Sequence, residues 1–327
     1  MLSYAQAIVI ALVQGVTELF PVSSLGHSVL VPAWIGGDWQ TLVTQSSQPS
    51  SEASFYLSYI VALHVATALA LLWFFRADWV RIITGFFRSS RRSLAARRLT
   101  VDGADERLAW MIVIATIPVG ITGLAFEHLF RTIFAKPVAA STFLLLNGLV
   151  LFAGERMRHA RDDLAPHTPE GELARSSIGR AAASGRSAEE LAEAEASDRR
   201  VAALPYADAL RIGSMQILAL FAGISRSGLT IVGGLWRGLT HEDAARFAFL
   251  LATPVILAAG ILKMPSLFGS AAADIHGQVA VGFVVTGITA YLSVRFQVRY
   301  FETRTLTPFA WYCLIGGAVS LLRFALG

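Results

Sequence analysis

The chain has 327 residues, of which 54% are hydrophobic and 15% charged, and its formal net charge is +4. Soluble domains usually carry roughly 25% charged residues, so a mean hydropathy of +0.56 and several long uncharged runs exclude a soluble enzyme, a nucleic-acid binder and a disordered chain. The lone Cys313 excludes a disulfide framework and a cysteine-based metal site.

The charges are unevenly placed. Eighteen charged residues fall between Glu155 and Arg200 and twelve between Arg76 and Arg107. All basic residues but Lys136 and Lys263 are arginine, and most lie in those two blocks, where a membrane protein keeps its cytoplasmic positive charge.

In chain order, the first apolar region, about 3–36, is interrupted near its middle by Pro, Gly, Ser and an ionisable residue, so it reads as a re-entrant helical hairpin. No basic residue precedes Arg76, so the N-terminal run lacks the charged flank of a signal peptide and is expected to be retained. Spans follow at about 55–75, 109–126 and 138–154, with 76–107 between the first two as a basic loop. The segment 155–205 is a charged linker, rich in Ala, Arg, Glu and Ser, with a helical piece near 187–200 and no assigned chemistry. A second broken hairpin at about 207–240 precedes spans at 247–262, 277–294 and 306–322. Asp102, Asp105 and Glu106 read as a solvated loop cluster.

The two broken regions match under a shift of 202 residues, which lays V-S-S-L-G-H-S at 22–28 over I-S-R-S-G-L-T at 224–230. The same shift superposes Gln14 on Gln216, Trp34 on Trp236 and Gly36 on Gly238. Residues 1–154 and 206–327 are therefore expected to be repeats, each a hairpin plus three spans, joined by the linker. Three spans are odd and the linker is too charged to cross, so the second repeat is inverted. The fold class expected is an all-α polytopic membrane protein with an inverted-topology repeat. The arginines of 76–107 place that loop inside, with the linker and the Arg295, Arg299, Arg304 loop; both termini and the mouth of the site then lie outside. The hairpin tips are expected to meet near mid-membrane.

The candidate chemistry lies at those tips. Gln14 and Glu18 stand four apart on one helical face before Pro21, and Ser23, Ser24 and His27 follow across the break. A carboxylate in an apolar run is costly and usually marks a pathway or a site; the alternative is that Glu18 pairs with Arg226 only to hold the hairpins together. In the second tip, Arg226 stands among Ser225, Ser227 and Thr230, with Gly223 and Gly228 allowing close backbone approach. A guanidinium beside hydroxyls and free N–H groups at a helix start suits phosphate oxygens. His27 near Ser24 and Glu18 suits a nucleophile with its base, or a base with its orienting carboxylate. His64, inside the first full span, is a lesser candidate.

These residues resemble the integral-membrane undecaprenyl pyrophosphate phosphatases, the bacitracin-resistance family. The resemblance rests on Q-G-V-T-E-L-F-P-V-S-S-L-G-H at 14–27 and G-I-S-R-S-G-L-T at 223–230, and extends through the stretches starting at Phe55, Ile117 and Ala245. It implies hydrolysis of undecaprenyl pyrophosphate to undecaprenyl phosphate and inorganic phosphate in the bacterial cytoplasmic membrane, recycling the lipid carrier of cell-wall synthesis and conferring bacitracin resistance. Glu18, Ser24, His27, Arg226 and Thr230 fall on positions implicated in catalysis, and Gln14 on one that holds Glu or Gln. Glu18 either holds a divalent cation, Mg²⁺ or Ca²⁺ by resemblance, or orients His27. The nucleophile is Ser24, His27 or a water activated by His27. Gln14 leaves one carboxylate where some members have two, Ala222 replaces the usual proline, and the linker is an insertion. The expected partners are a polyprenyl pyrophosphate and membrane lipids, without nucleic acid; a homodimer is left open. The competing reading is a polyprenyl-phosphate transporter or flippase, because broken inverted hairpins are also a transporter architecture.

Overall fold

The computed structural model describes residues 2–39, 42, 55–133, 136–162, 188–263, 265 and 275–326. The described residues form twelve α-helices and one longer 3₁₀ turn. The first two make the hairpin: α1 (Tyr4–Thr17) opens on a capping box in which Ser3 and Gln6 satisfy each other's backbone N–H, and α2 (Ser24–Ile35) stops at Gly36, whose φ of +76° ends the helix. At ~1.5 Å per residue neither helix reaches across a ~30 Å hydrocarbon core.

The spans follow as α3 (Phe55–Phe74), α5 (Ala104–Ile133, kinked at Phe126), α6 (Pro137–Asp162), α10 (His241–Lys263), α11 (His276–Thr303) and α12 (Thr307–Leu326). Five of these are long and apolar enough to cross a membrane unaided, and Ser58–Phe74 joins them together with the bent helix that follows it. Their outward faces carry exposed Ile117, Ile121, Ile288, Leu292, Ile315 and Val319. A water-facing surface would not carry these rows; lipid does.

The basic stretch after α3 is not a loop. It forms α4 (Arg76–Ala96), turned 87° from Ser58–Phe74. Its apolar residues recur every three or four positions between the arginines, with Ile82 buried and Val80, Ile83 and Phe87 exposed, the pattern of a helix lying in the interface plane. Charge density hid that periodicity in the sequence. Likewise the acidic cluster is only in part a solvated loop: Asp102 is exposed, but Asp105 and Glu106 open α5, and buried Glu106 pairs with Arg92 and accepts from the Asp102 N–H at 2.8 Å.

The helical end of the linker, α7 (Ala188–Ala202), is not merely solvated either. Its Asp198 is buried and receives both arms of Arg246 of α10, at 2.9 and 3.1 Å, and Arg81 of α4 at 2.7 Å. Arg246 and Arg81 also share Asp78, each at 2.9 Å, and Arg200 grips Asp243 at 2.8 Å. These pairs clamp α4, α7 and α10 together. The first residues of the expected linker, 155–162, continue α6, and 163–187 lie outside the described residues.

The second hairpin is α8 (Tyr206–Met215), the 3₁₀ turn Gln216–Leu220, and α9 (Arg226–Trp236). In the packing, α1 lies on α11 and α8 on α5, while α3 packs with α10 and α6 with α12. The main core gathers Leu71, Phe75, Met111, Leu151, Ile231, Phe247 and Phe249, and a smaller one gathers Ile10, Tyr59, Leu63 and Ile275.

Candidate active site at the meeting of the two hairpin tips

Both helices that follow the breaks start the same way. The Ser23 hydroxyl accepts from the Gly26 N–H, and the Ser225 hydroxyl accepts from the Gly228 N–H, at 3.2 and 3.1 Å. Each serine is an N-cap, and the shift of 202 residues maps one onto the other. The tips then touch: the Gly223 N–H donates to Ser23 Oγ at 3.1 Å, and a Cβ on Gly26 would stand 2.9 Å from Gly223 Cα. Gly223 has φ +117°, and a Cβ there would come within 2.4 Å of the Ala140 carbonyl oxygen. Gly223→Ala is accordingly expected to cost more than the ~1–3 kcal/mol of a strained residue alone, seen as loss of folded protein in detergent thermal melts.

Asn147 of α6 joins the tips from behind. Its amide donates to the Pro21 carbonyl at 3.0 Å and its oxygen accepts from the Ser225 N–H at 2.9 Å. Ser227 donates to the Phe20 carbonyl at 3.2 Å, and Thr230 to the Arg226 carbonyl at 2.9 Å. Ser227, Gly228 and Thr230 thus serve the backbone of the tips and do not line the cavity.

In front of the tips lies a cavity of about 160 Å³ bordered by Glu18, Ser23, Ser24, His64, Gln216, Ser225 and Arg226, with apolar walls including Val119, Leu220 and Ile256. Glu18 is its centre. One carboxylate oxygen receives Arg226 from the opposite hairpin; the other receives Ser24 Oγ, Gln14 Nε2 at 2.9 Å, and lies 3.4 Å from His64 Nε2. A base, a hydroxyl, a cation and an imidazole therefore converge on one buried point. Arg226 also donates to the Ala252 carbonyl at 3.4 Å.

His27 belongs to a different environment. Its Nδ1 meets the Ser23 carbonyl and its Nε2 the Tyr312 hydroxyl, each at 2.7 Å, with the rings stacked 5.7 Å apart. A carbonyl only accepts, so Nδ1 carries a proton, and in the neutral ring Nε2 accepts from Tyr312. Both ring nitrogens are thus engaged by groups other than Glu18 and Ser24, and His27 is not among the residues that border the cavity.

The family profile of bacitracin resistance protein BacA matches residues 7–319. The chain belongs to this family. BacA relatives include Undecaprenyl-diphosphatase 2 of Frankia alni, 54% identical with 99% of each chain covered, and the Undecaprenyl-diphosphatase of Mycolicibacterium paratuberculosis, 55% identical over 99% of this chain and 98% of the relative. A Burkholderia ambifaria protein, Undecaprenyl-diphosphatase 2, is 39% identical over 97% of this chain and 95% of its own.

Against this BacA background, the tips unite Gln14, Glu18, Ser23, Ser24, Ser225 and Arg226 as their spacing suggests, while His64 replaces His27 as the imidazole at the carboxylate. Asn147 and Tyr312 were not found from sequence. An amide inside an apolar span was the available signal for Asn147; a tyrosine near a helix end carries none.

Proposed function

We propose that this chain removes the terminal phosphate of undecaprenyl pyrophosphate, giving undecaprenyl phosphate and inorganic phosphate. The observation that carries the reading is the convergence of Ser24 and Arg226 on the Glu18 carboxylate in a cavity with apolar walls. The curated names of full-length relatives support the same reaction. At about 160 Å³ the cavity holds a phosphate head with a few waters of roughly 30 Å³ each, so the polyprenyl chain lies outside it.

The geometry supports Ser24 as nucleophile. Its hydroxyl already donates to Glu18, so Glu18 takes that proton as Ser24 Oγ bonds to the terminal phosphorus. The bridging P–O bond breaks and undecaprenyl phosphate leaves. Water then cleaves the serine phosphate by the reverse use of the same carboxylate. Arg226 is paired with Glu18 before substrate arrives; the pyrophosphate charge draws it away, which frees the base and places the guanidinium on the developing negative charge. His64 stays beside Glu18 and orients it. His64→Ala is expected to lower kcat/KM by about tenfold or more, up to the ~10²-fold low end of lost general acid–base support, whereas Tyr312→Phe, which removes only the hydroxyl that meets His27, costs only a few-fold. Steady-state rates with both variants check this order.

In the substrate-free protein the residues present do not fit a resident divalent cation. Both oxygens of Glu18 already accept from Arg226, Ser24 and Gln14, and among the described residues no three His, Cys, Asp or Glu side chains converge. No step here runs through an ion. Phosphate release by purified protein in detergent, with and without EDTA, tests both the activity and the cation.

We place the protein as an inverted repeat with the linker and α4 on the cytoplasmic side and the cavity mouth and termini outside. The exchange of partners between the two halves, α1 with α11 and α8 with α5, supports this, as do the arginines of α4.

A further inference from the structure

Gln216 opens the 3₁₀ turn of the second hairpin and borders the same cavity as Glu18, Ser24 and Arg226. It is 1% exposed, and neither its Oε1 nor its Nε2 has a hydrogen-bond partner. Buried amides usually find partners; of the two glutamines among the described residues with both ends unmet, Gln216 and Gln297, only Gln216 borders the cavity. Its counterpart in the first hairpin, Gln14, explains the difference. Gln14 donates to Glu18, one helical turn later. The residue one turn after Gln216 is Leu220, so the second hairpin offers no carboxylate for the amide to hold. The repeat has kept the amide and omitted its partner, at the wall of a cavity whose other polar groups are already committed to one another.

We propose that Gln216 is a substrate-binding residue whose Nε2 donates to a non-bridging oxygen of the pyrophosphate. The inference rests on the pyrophosphate reading of the cavity. It adds a donor on the side of the ligand opposite the first hairpin, supplied by a neutral group. An amide suits that place because a second arginine would overcharge the cavity, whereas a carboxylate would repel the substrate. Entry of the head group draws Arg226 from Glu18, and a turn about the Gln216 side-chain bonds brings its N–H group onto the phosphate.

Two measurements on intact protein in detergent decide the matter. The first is the shift in melting temperature caused by a non-hydrolysable farnesyl methylenebisphosphonate; the second is phosphate release from undecaprenyl pyrophosphate. Gln216→Leu removes both polar ends at nearly constant volume. It is expected to melt at or above the wild-type temperature without ligand, to lose at least half of the ligand-induced shift, and to raise KM about tenfold with a smaller change in kcat. Gln216→Glu is expected to lose the shift altogether. A residue that only supports the fold would instead lower the ligand-free melting temperature and leave the shift intact. An unaltered shift and KM in Gln216→Leu overturns the proposal. If wild-type protein is stabilised by the bisphosphonate yet releases no phosphate, the hydrolysis reading fails while the shift still judges Gln216. No stabilisation of the wild type overturns the role of Gln216, and no stabilisation together with no phosphate release overturns both readings.

Discussion

Arg226→Ala protein is expected to lose about 10³-fold or more in kcat/KM, on the order of 4 kcal/mol of transition-state stabilisation. The guanidinium is the one cation bordering the cavity among the described residues, and it reaches Glu18 from the opposite hairpin. Arg226→Lys keeps the charge but not the planar fork, and an intermediate loss of about 10²-fold is expected. Fold and function must be separated, because removing one member of a buried pair leaves the other charge unpaired, at roughly 3–5 kcal/mol. The double variant Glu18→Gln, Arg226→Gln removes both charges together. It is expected to melt near the wild type and yet release no phosphate. Recovered turnover in that double variant would reduce the pair to a clasp between hairpins and end the assignment.

The second large effect is on stability. Arg246→Met is expected to destabilise the protein by roughly 3–5 kcal/mol, since Asp198 and Asp78 are buried and Arg246 holds both. Arg81 alone would then face Asp78, Asp105 and Asp198. Helix α7 then keeps only the Arg81–Asp198 and Arg200–Asp243 pairs to its neighbours, so trypsin should cut faster at Arg199 and Arg200. Denaturation midpoints in detergent and the cleavage rate measure the two consequences. Neutralising both sides at once, with Arg246→Met and Asp198→Leu, should recover part of the loss; no recovery would mean the network is not what docks the helix.

Much of the fold was legible because bilayer physics leaves few options. Uncharged runs near 20 residues must be helices, and all six expected spans correspond to helices, with α5, α6, α10, α11 and α12 extending further at their ends. The broken regions were legible for the same reason: Pro21 and the glycines at the tips interrupt apolar helices where only protein can satisfy the backbone. Misread segments were those rich in charge. In α4 the arginines masked a 3.6-residue apolar repeat, and in α7 nothing local marked Asp198 as buried, because its partners Arg81 and Arg246 lie 117 and 48 residues away.

The candidate site divides along the same line. Composition and the shift of 202 residues determined by themselves that the chain is a membrane protein with two matching broken hairpins, and local spacing put Gln14 beside Glu18. Which imidazole serves the carboxylate was decided only by tertiary packing: His27 is nine residues from Glu18 but faces Tyr312, while His64 arrives from another helix. Sequence proximity limits where a side chain can reach; the rotation of its helix against neighbouring helices decides where it points.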